Sequence, residues 1–199
     1  MAKIKICGLS RPYDIYAVND EKPEYAGFVF SKSRRNVTPQ QAFELRNKLA
    51  PGIIPVGVFT DEKIGNIISL AQRGIFDVIQ LHGSENEEYI LRLKAFTDKP
   101  VIKAVAVLEE GDAQKWAETS ADYLLLDGES GGKGKRFDWN LIGVVNKPFF
   151  LAGGLGVENI ETALEKVKPF AVDVSSGVET DGFKDHAKIR EFIRTVRNR

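Results

Sequence analysis

The chain has 199 residues, few for two domains and enough for one well-buried core, so residues 1–199 read as a single domain. Its 28 lysines and arginines balance 28 aspartates and glutamates, which leaves no basic field to draw in nucleic acid and no acidic tail. No apolar run approaches the roughly 18 residues that span a bilayer, the single cysteine allows no internal disulfide, and no long apolar leader precedes the first strand-like run; a cytoplasmic location is the expectation.

Eight apolar, β-branched runs recur about every 25 residues, at 4–7, 25–30, 55–59, 78–81, 101–107, 123–126, 149–152 and 171–174. Near-continuous apolar runs of this length suit strands buried on both faces, as in a parallel sheet. Helix signals lie between them. Thr38-Pro39-Gln40-Gln41 offers an N-cap, a proline in the first turn and a capping-box glutamine, and Ser84-Glu85-Asn86-Glu87 repeats the box pattern. Ile64, Ile67, Ile68 and Ala71 share one helical stripe after Asp61, and Ile189, Phe192, Ile193 and Val196 share another. Eight strand–helix alternations in one domain predict a (β/α)₈ TIM barrel with short loops, in preference to an open doubly wound sheet.

In such a barrel the chemistry sits where strands end. Those ends carry Cys7-Gly8, residues 31–35 with Arg34 and Arg35, Thr60-Asp61, His82-Gly83, residues 107–109, Asp127-Gly128, Gly153-Gly154 and Ser175-Ser176-Gly177. A lone Cys7 there is either a small buried hydrophobe or a proton-transfer group acting as thiolate. The last two turns, Gly153-Gly154 and Ser175-Ser176-Gly177, follow strands seven and eight, where barrel enzymes recurrently hold phosphate through backbone N–H groups. Gly131-Gly132-Lys133-Gly134-Lys135 is not a P-loop, because Glu129 and Arg136 stand where glycine and a hydroxyl residue are required. It reads as a glycine-hinged lid over 128–136. Asn159 occupies the third glycine position of a would-be dinucleotide fingerprint, which excludes that motif. His82 and His186 are the only histidines and neither has a ligand cluster in sequence, so no metal and no cofactor is expected. His186 reads as solvated surface, and His82, at a strand end, as a structural hydrogen bonder within reach of the mouth.

Taken together these residues resemble the phosphoribosylanthranilate isomerase family of tryptophan biosynthesis. The resemblance runs through Lys5-Ile6-Cys7-Gly8-Leu9, Ser33-Arg34-Arg35-Asn36-Val37, Gln80-Leu81-His82-Gly83, Leu126-Asp127, Gly131-Gly132-Lys133-Gly134-Lys135 with Phe137-Asp138-Trp139, Leu151-Ala152-Gly153-Gly154-Leu155 and Asp173-Val174-Ser175-Ser176-Gly177-Val178-Glu179. Two positions depart from the family's pattern. Lys133 stands where a hydroxyl residue is usual in the lid, and Arg34 where proline usually precedes the arginine. Both bear on loop closure and substrate affinity rather than on reaction type.

The resemblance implies an Amadori rearrangement of a phosphorylated aminoaldose to an aminoketose. It implies Cys7 as general base, Asp127 as general acid, Arg35 on the anthranilate carboxylate, His82 as a further substrate contact, and Gly153, Gly154, Ser175, Ser176 and Gly177 on the phosphate. The partner is then a small phosphosugar, with no nucleic acid and no membrane; a homodimer and a monomer both remain open. Rival readings are a metal-dependent sugar-phosphate epimerase, which would need histidines on the early strands, and a non-catalytic phosphosugar-binding barrel, in which Cys7 and Asp127 would be replaceable.

Overall fold

The structure, a computed structural model, describes residues 1–128 and 138–199. Eight strands, β1 (Lys3–Cys7), β2 (Tyr25–Val29), β3 (Ile54–Phe59), β4 (Val78–Leu81), β5 (Val101–Ala106), β6 (Tyr123–Asp127), β7 (Phe149–Leu151) and β8 (Ala171–Val174), pair in parallel with their sequence neighbours. Closure comes from β8 pairing with β1, in the register Lys5 opposite Asp173 and Ile6 opposite Val174. The expected strands coincide with these to within two residues at either end.

The outer layer departs from eight full strand–helix units. Six α-helices are present among the described residues: α1 (Pro12–Glu21), α2 (Pro39–Arg46), α3 (Ile64–Gln72), α4 (Glu87–Lys94), α5 (Ile160–Lys166) and α6 (His186–Arg197). After β5 and β6 the described chain instead makes 3₁₀ turns at Gln114–Trp116 and Trp139–Ile142. The local chemistry accounts for this. In the first, Asp112 turns its carboxylate back onto the Leu108 and Glu109 amides, competing with helix growth. In the second, a left-handed Gly143 followed by Val144, Val145 and Pro148 ends the turn before an α-helical nucleus can extend.

The Thr38 capping box forms as expected, with Thr38 Oγ1 accepting from the Gln41 amide at 3.2 Å and Gln41 Oε1 accepting from the Thr38 amide at 2.9 Å. The second box does not. Asn86, not Ser84, caps α4, accepting from the Tyr89 amide at 3.0 Å, while the Ser84 hydroxyl donates to Asp61 at 2.8 Å. A short hairpin not anticipated from sequence, β9 (Glu179–Thr180) and β10 (Phe183–Lys184), follows β8 and turns through Asp181-Gly182.

Two packed regions result. Shell residues such as Ile4, Ile6, Phe28, Ile67, Phe192 and Ile193 lie between strands and helices, and both predicted helical stripes face this shell. Inside the barrel, Tyr25, Val56, Val58, Val78, Ile102, Leu125, Phe150 and Ala171 form a separate core. Phe150 stands edge-on to Tyr25, Tyr123 and Phe170, with ring centroids 5.3 to 5.7 Å apart, and plugs the N-terminal end. Strand alternation therefore sends the polar inward-facing side chains Cys7, Lys5, Gln80, Asp127 and Asp173 to the upper layers and the C-terminal mouth.

Candidate active site

Cys7 ends β1 on the inner face and is 8% exposed, at the boundary between barrel core and mouth. Two residues earlier on the same face lies Lys5, fully buried, whose Nζ is 2.9 Å from Asp173 Oδ1 on β8. The same ammonium group acts electrostatically on the Cys7 side chain, which leaves β1 on the same face. Burial pushes the Cys7 thiol above its ordinary range; Lys5 and Lys184 pull the other way, and Asp173 adds to the rise. Lys5 itself is held charged: burial works against the ammonium, and Asp173 and Cys7 outweigh it.

A second charge cluster braces the rim. Arg35 lays its guanidinium across Glu179, with Nε to Oε1 at 2.7 Å and Nη2 to Oε2 at 3.0 Å. Arg34 adds a contact to Glu179 Oε2 at 2.6 Å and Lys184 one to Oε1 at 2.5 Å. Burial would raise the Glu179 carboxyl, but hydrogen bonds from Arg35 and Lys184 hold it below the usual carboxylate range. Gly8 permits this packing, since a methyl group built on it would meet Arg35 Cδ at 2.4 Å. Lys184 also donates to the Ser175 carbonyl at 3.0 Å, which ties the rim cluster to the end of β8.

On the other side of the mouth, Asp127 ends β6 and is 7% exposed. It lines a cavity of about 220 Å³ with His82, Ser84, Lys103, Ala106 and Trp116. His82 Nε2 lies 3.9 Å from Asp127 Oδ2, and its Nδ1 pairs with Gln80 Nε2 at 2.8 Å. With the Gln80 amide donating, Nδ1 accepts and the ring proton sits on Nε2, facing Asp127. Burial, and after it the Lys5 charge, lowers the His82 imidazole and keeps it neutral. The wall behind is fixed by Glu85, which accepts from Lys103 at 2.9 Å, the Asp61 amide at 2.8 Å and the Gly83 amide at 2.9 Å.

The two glycine turns are joined to each other. Gly156 and Gly177 form an isolated parallel bridge, and a methyl group on Gly177 would stand 1.9 Å from the Leu155 carbonyl oxygen, so only glycine fits. Asn159 braces the first turn, accepting from the Gly156 amide at 3.0 Å and donating to the Gly154 carbonyl at 2.7 Å. The Ser175 hydroxyl is directed to the Cys7 carbonyl at 2.9 Å, whereas Ser176 is exposed. His186 opens α6 within 3.5 Å of Asp20 and Glu21, remote from the mouth lining.

Cys7, Arg35, His82, Asp127 and both glycine turns thus share the C-terminal rim. The expected lid falls on 128–136, of which all but Gly128 lies outside the described residues. Sequence reasoning gave no role to Lys5, Asp173, Gln80, Glu179, Lys184 or Asn159. The available signal was a charge interrupting an apolar strand, as in Ile4-Lys5-Ile6 and Val172-Asp173-Val174, since central strands rarely hold charges unless they are paired.

Residues 4–195 match the family model for N-(5'-phosphoribosyl)anthranilate isomerase. A relative of that name from Clostridium acetobutylicum is 48% identical over 99% of this chain and 98% of its own length. The crystal structure of phosphoribosyl anthranilate isomerase from Thermotoga maritima superposes with a TM-score of 0.89 at 37% identity, covering all of both chains. A further phosphoribosyl anthranilate isomerase structure, 35% identical with a TM-score of 0.87 and 100% of each chain covered, holds reduced 1-(o-carboxyphenylamino)-1-deoxyribulose 5-phosphate.

Proposed function

This chain belongs to the N-(5'-phosphoribosyl)anthranilate isomerase family, and we propose that in its reaction Cys7 is the general base and Asp127 the general acid. The reaction is an aldose–ketose isomerisation in tryptophan biosynthesis, turning N-(5'-phosphoribosyl)anthranilate into 1-(2-carboxyphenylamino)-1-deoxyribulose 5-phosphate. Protonation of the furanose ring oxygen by Asp127 breaks the C1–O bond and leaves a Schiff base at C1. The Cys7 thiolate then takes the C2 proton. The C2–H electron pair forms the C1–C2 double bond while the C–N π pair returns to nitrogen. The resulting enolamine loses its hydroxyl proton, gains a proton at C1 and becomes the aminoketose.

The observation that carries this reading is the placement of Cys7 and Asp127. Both are inward-facing final residues of their strands, and both meet the same mouth. Arg35, its Nε–Nη2 edge held by Glu179, offers the other edge of its guanidinium to the anthranilate carboxylate from the rim beside Cys7, and the paired turns at 153–154 and 175–177 supply the phosphate site. His82, neutral and carrying its proton toward Asp127, contacts substrate from the β4 side. A small phosphorylated substrate and a base that must stay a reduced thiol fit a cytoplasmic enzyme.

Turnover is followed by loss of fluorescence of freshly generated phosphoribosylanthranilate. Cys7→Ser and Asp127→Asn should each lower kcat by about 10² to 10⁴. Both should keep cooperative unfolding and affinity for a reduced product analogue. Wild-type kcat in either variant would remove that residue from its role.

A further inference from the structure

The inside of the barrel holds two opposite charges directly beneath Cys7, which packing alone does not require. The neighbouring interior positions are filled by Val56, Val58, Ile102, Leu125 and Phe150, and a hydrophobic pair at residues 5 and 173 would continue that core. Burying an ammonium and a carboxylate carries a desolvation cost that their mutual attraction repays only with good geometry, so such a pair is weak evidence of a stabilising role. We propose that the Lys5–Asp173 ion pair is a positioning device for the base, in which Asp173 fixes the Lys5 ammonium under Cys7 so that Lys5 can hold the thiolate formed there. This rests on the reading of Cys7 as general base.

Three observations carry it. Lys5 and Cys7 are alternate residues of one strand and so share the barrel face. The Lys5–Asp173 contact crosses from β1 to β8 between residues in direct register, with Nζ to Oδ1 at 2.9 Å and a Lys5 side chain of zero exposure. An ammonium group has three donors, and the Asp173 bond uses one of them, so the others stay available to a thiolate formed two residues further along the same strand face.

Among the described residues, the charges around the sulfur are few. Lys5 comes from β1 itself, Asp173 from β8 and Lys184 from β10. Lys184 is already committed to Glu179 at 2.5 Å and to Ser175, and Arg35 shares the same carboxylate. On β2 the residue paired with Cys7 is Gly27, which brings no charge. Lys5 is thus the cation whose carboxylate partner lies below the thiol rather than at the rim.

Because Cys7 is the only cysteine, ultraviolet absorbance of the thiolate, corrected with Cys7→Ser, reads its titration alone. Lys5→Met and the charge-free pair Lys5→Met/Asp173→Leu should both move the thiol midpoint to higher pH. A shift of about one unit means about tenfold less thiolate at neutral pH. The base limb of kcat/KM should move with it, and kcat at neutral pH should fall about tenfold while KM changes little. In the unaltered chain, the buried Nζ resonance of Lys5 should shift with the same midpoint as the thiol, a measurement that needs no variant to fold. A Lys5 resonance that stays flat through the thiol titration overturns the proposal, as does a thiol midpoint unmoved in a folded variant. If the midpoint moves but the rate limb stays, and Cys7→Ser keeps its turnover, the failure belongs to the base assignment instead.

Discussion

Gly27 lies against Cys7 so closely that a methyl group built on it would stand 2.8 Å from the sulfur and 3.1 Å from the Cys7 Cα. The two are register partners on β2 and β1, so neither backbone can retreat without disturbing the sheet. The obstacle to the added methyl is the sulfur itself. Gly27→Ala should displace the thiol from the mouth and cost about 1–3 kcal/mol of stability through overpacking. A drop of at least about tenfold in kcat should accompany it, since an ångström-scale misplacement of a reacting group already costs that much. Steady-state kinetics alongside thermal melts separate the two effects. Unchanged kcat in a destabilised variant would mean that the sulfur's position is not what the reaction needs.

Arg35 is held to Glu179 through Nε and Nη2, an arrangement that fixes the plane of its guanidinium at the rim. Arg35→Ala should raise KM by a factor equivalent to about 1.5–3 kcal/mol, the range for a charge-assisted contact, with a smaller effect on kcat. Arg34 is more exposed and makes one bond to the same carboxylate, so Arg34→Ala should raise KM less. If the two variants gave the reverse order, the anthranilate carboxylate would be bound by Arg34.

Glu179 gives the fold an acid-sensitive clasp. Its carboxyl is held below the ordinary range in the folded chain, so the unfolded chain binds the extra proton first as pH falls. The clasp contributes fully above the ordinary glutamate value of about 4.3, and its contribution is lost as pH falls through the folded value. The difference in Tm between the wild type and Glu179→Gln should therefore be largest at neutral pH and shrink below about pH 4. A difference that stayed constant down to the acid transition would show that ionisation of Glu179 is not what the clasp uses.

Asn159 bonds both sides of the first glycine turn while lying buried itself. Asn159→Ala leaves the Gly156 amide and Gly154 carbonyl without that partner, at a cost of about 1–3 kcal/mol in stability. The loosened turn should bind phosphate less well, so inhibition by inorganic phosphate should weaken several-fold and KM rise with it. Inhibition equal to the wild type would place the phosphate away from this turn.

The strands were legible because a barrel strand is buried on both faces and so appears as a near-continuous apolar run. Cys7, Asp127 and the glycine turns were legible because they end such runs at one rim. Two classes of feature were not. The 3₁₀ turns after β5 and β6 depend on Asp112 folding back on its own amides and on the handedness of Gly143, choices that periodicity does not record. The polar groups beneath and around the mouth were missed for another reason. The pairing of Lys5 with Asp173 joins residues 168 positions apart, and that of Arg35 with Glu179 joins residues 144 apart. Only closure of the barrel turns such distances into contact. Ser84-Glu85-Asn86-Glu87 shows the same limit locally, since Glu85 is drawn out of the helix start by Lys103 on the next strand.

The outer jacket of this barrel is uneven, and that divides the two halves of the site. The strand bearing Cys7 is backed by α6 and followed by α1, which packs on α6, whereas the described chain that follows β5 and β6 makes only the short turns at 114–116 and 139–142. Tolerance of sequence drift follows cover, because loops that anchor no helix can lengthen or be exchanged without unseating a packed interface. Substitutions on the thiol side therefore disturb more packed surface. Inherited variation in substrate handling should accumulate around the carboxylate side, where the cavity beside Asp127 and Trp116 can be reshaped at little structural expense.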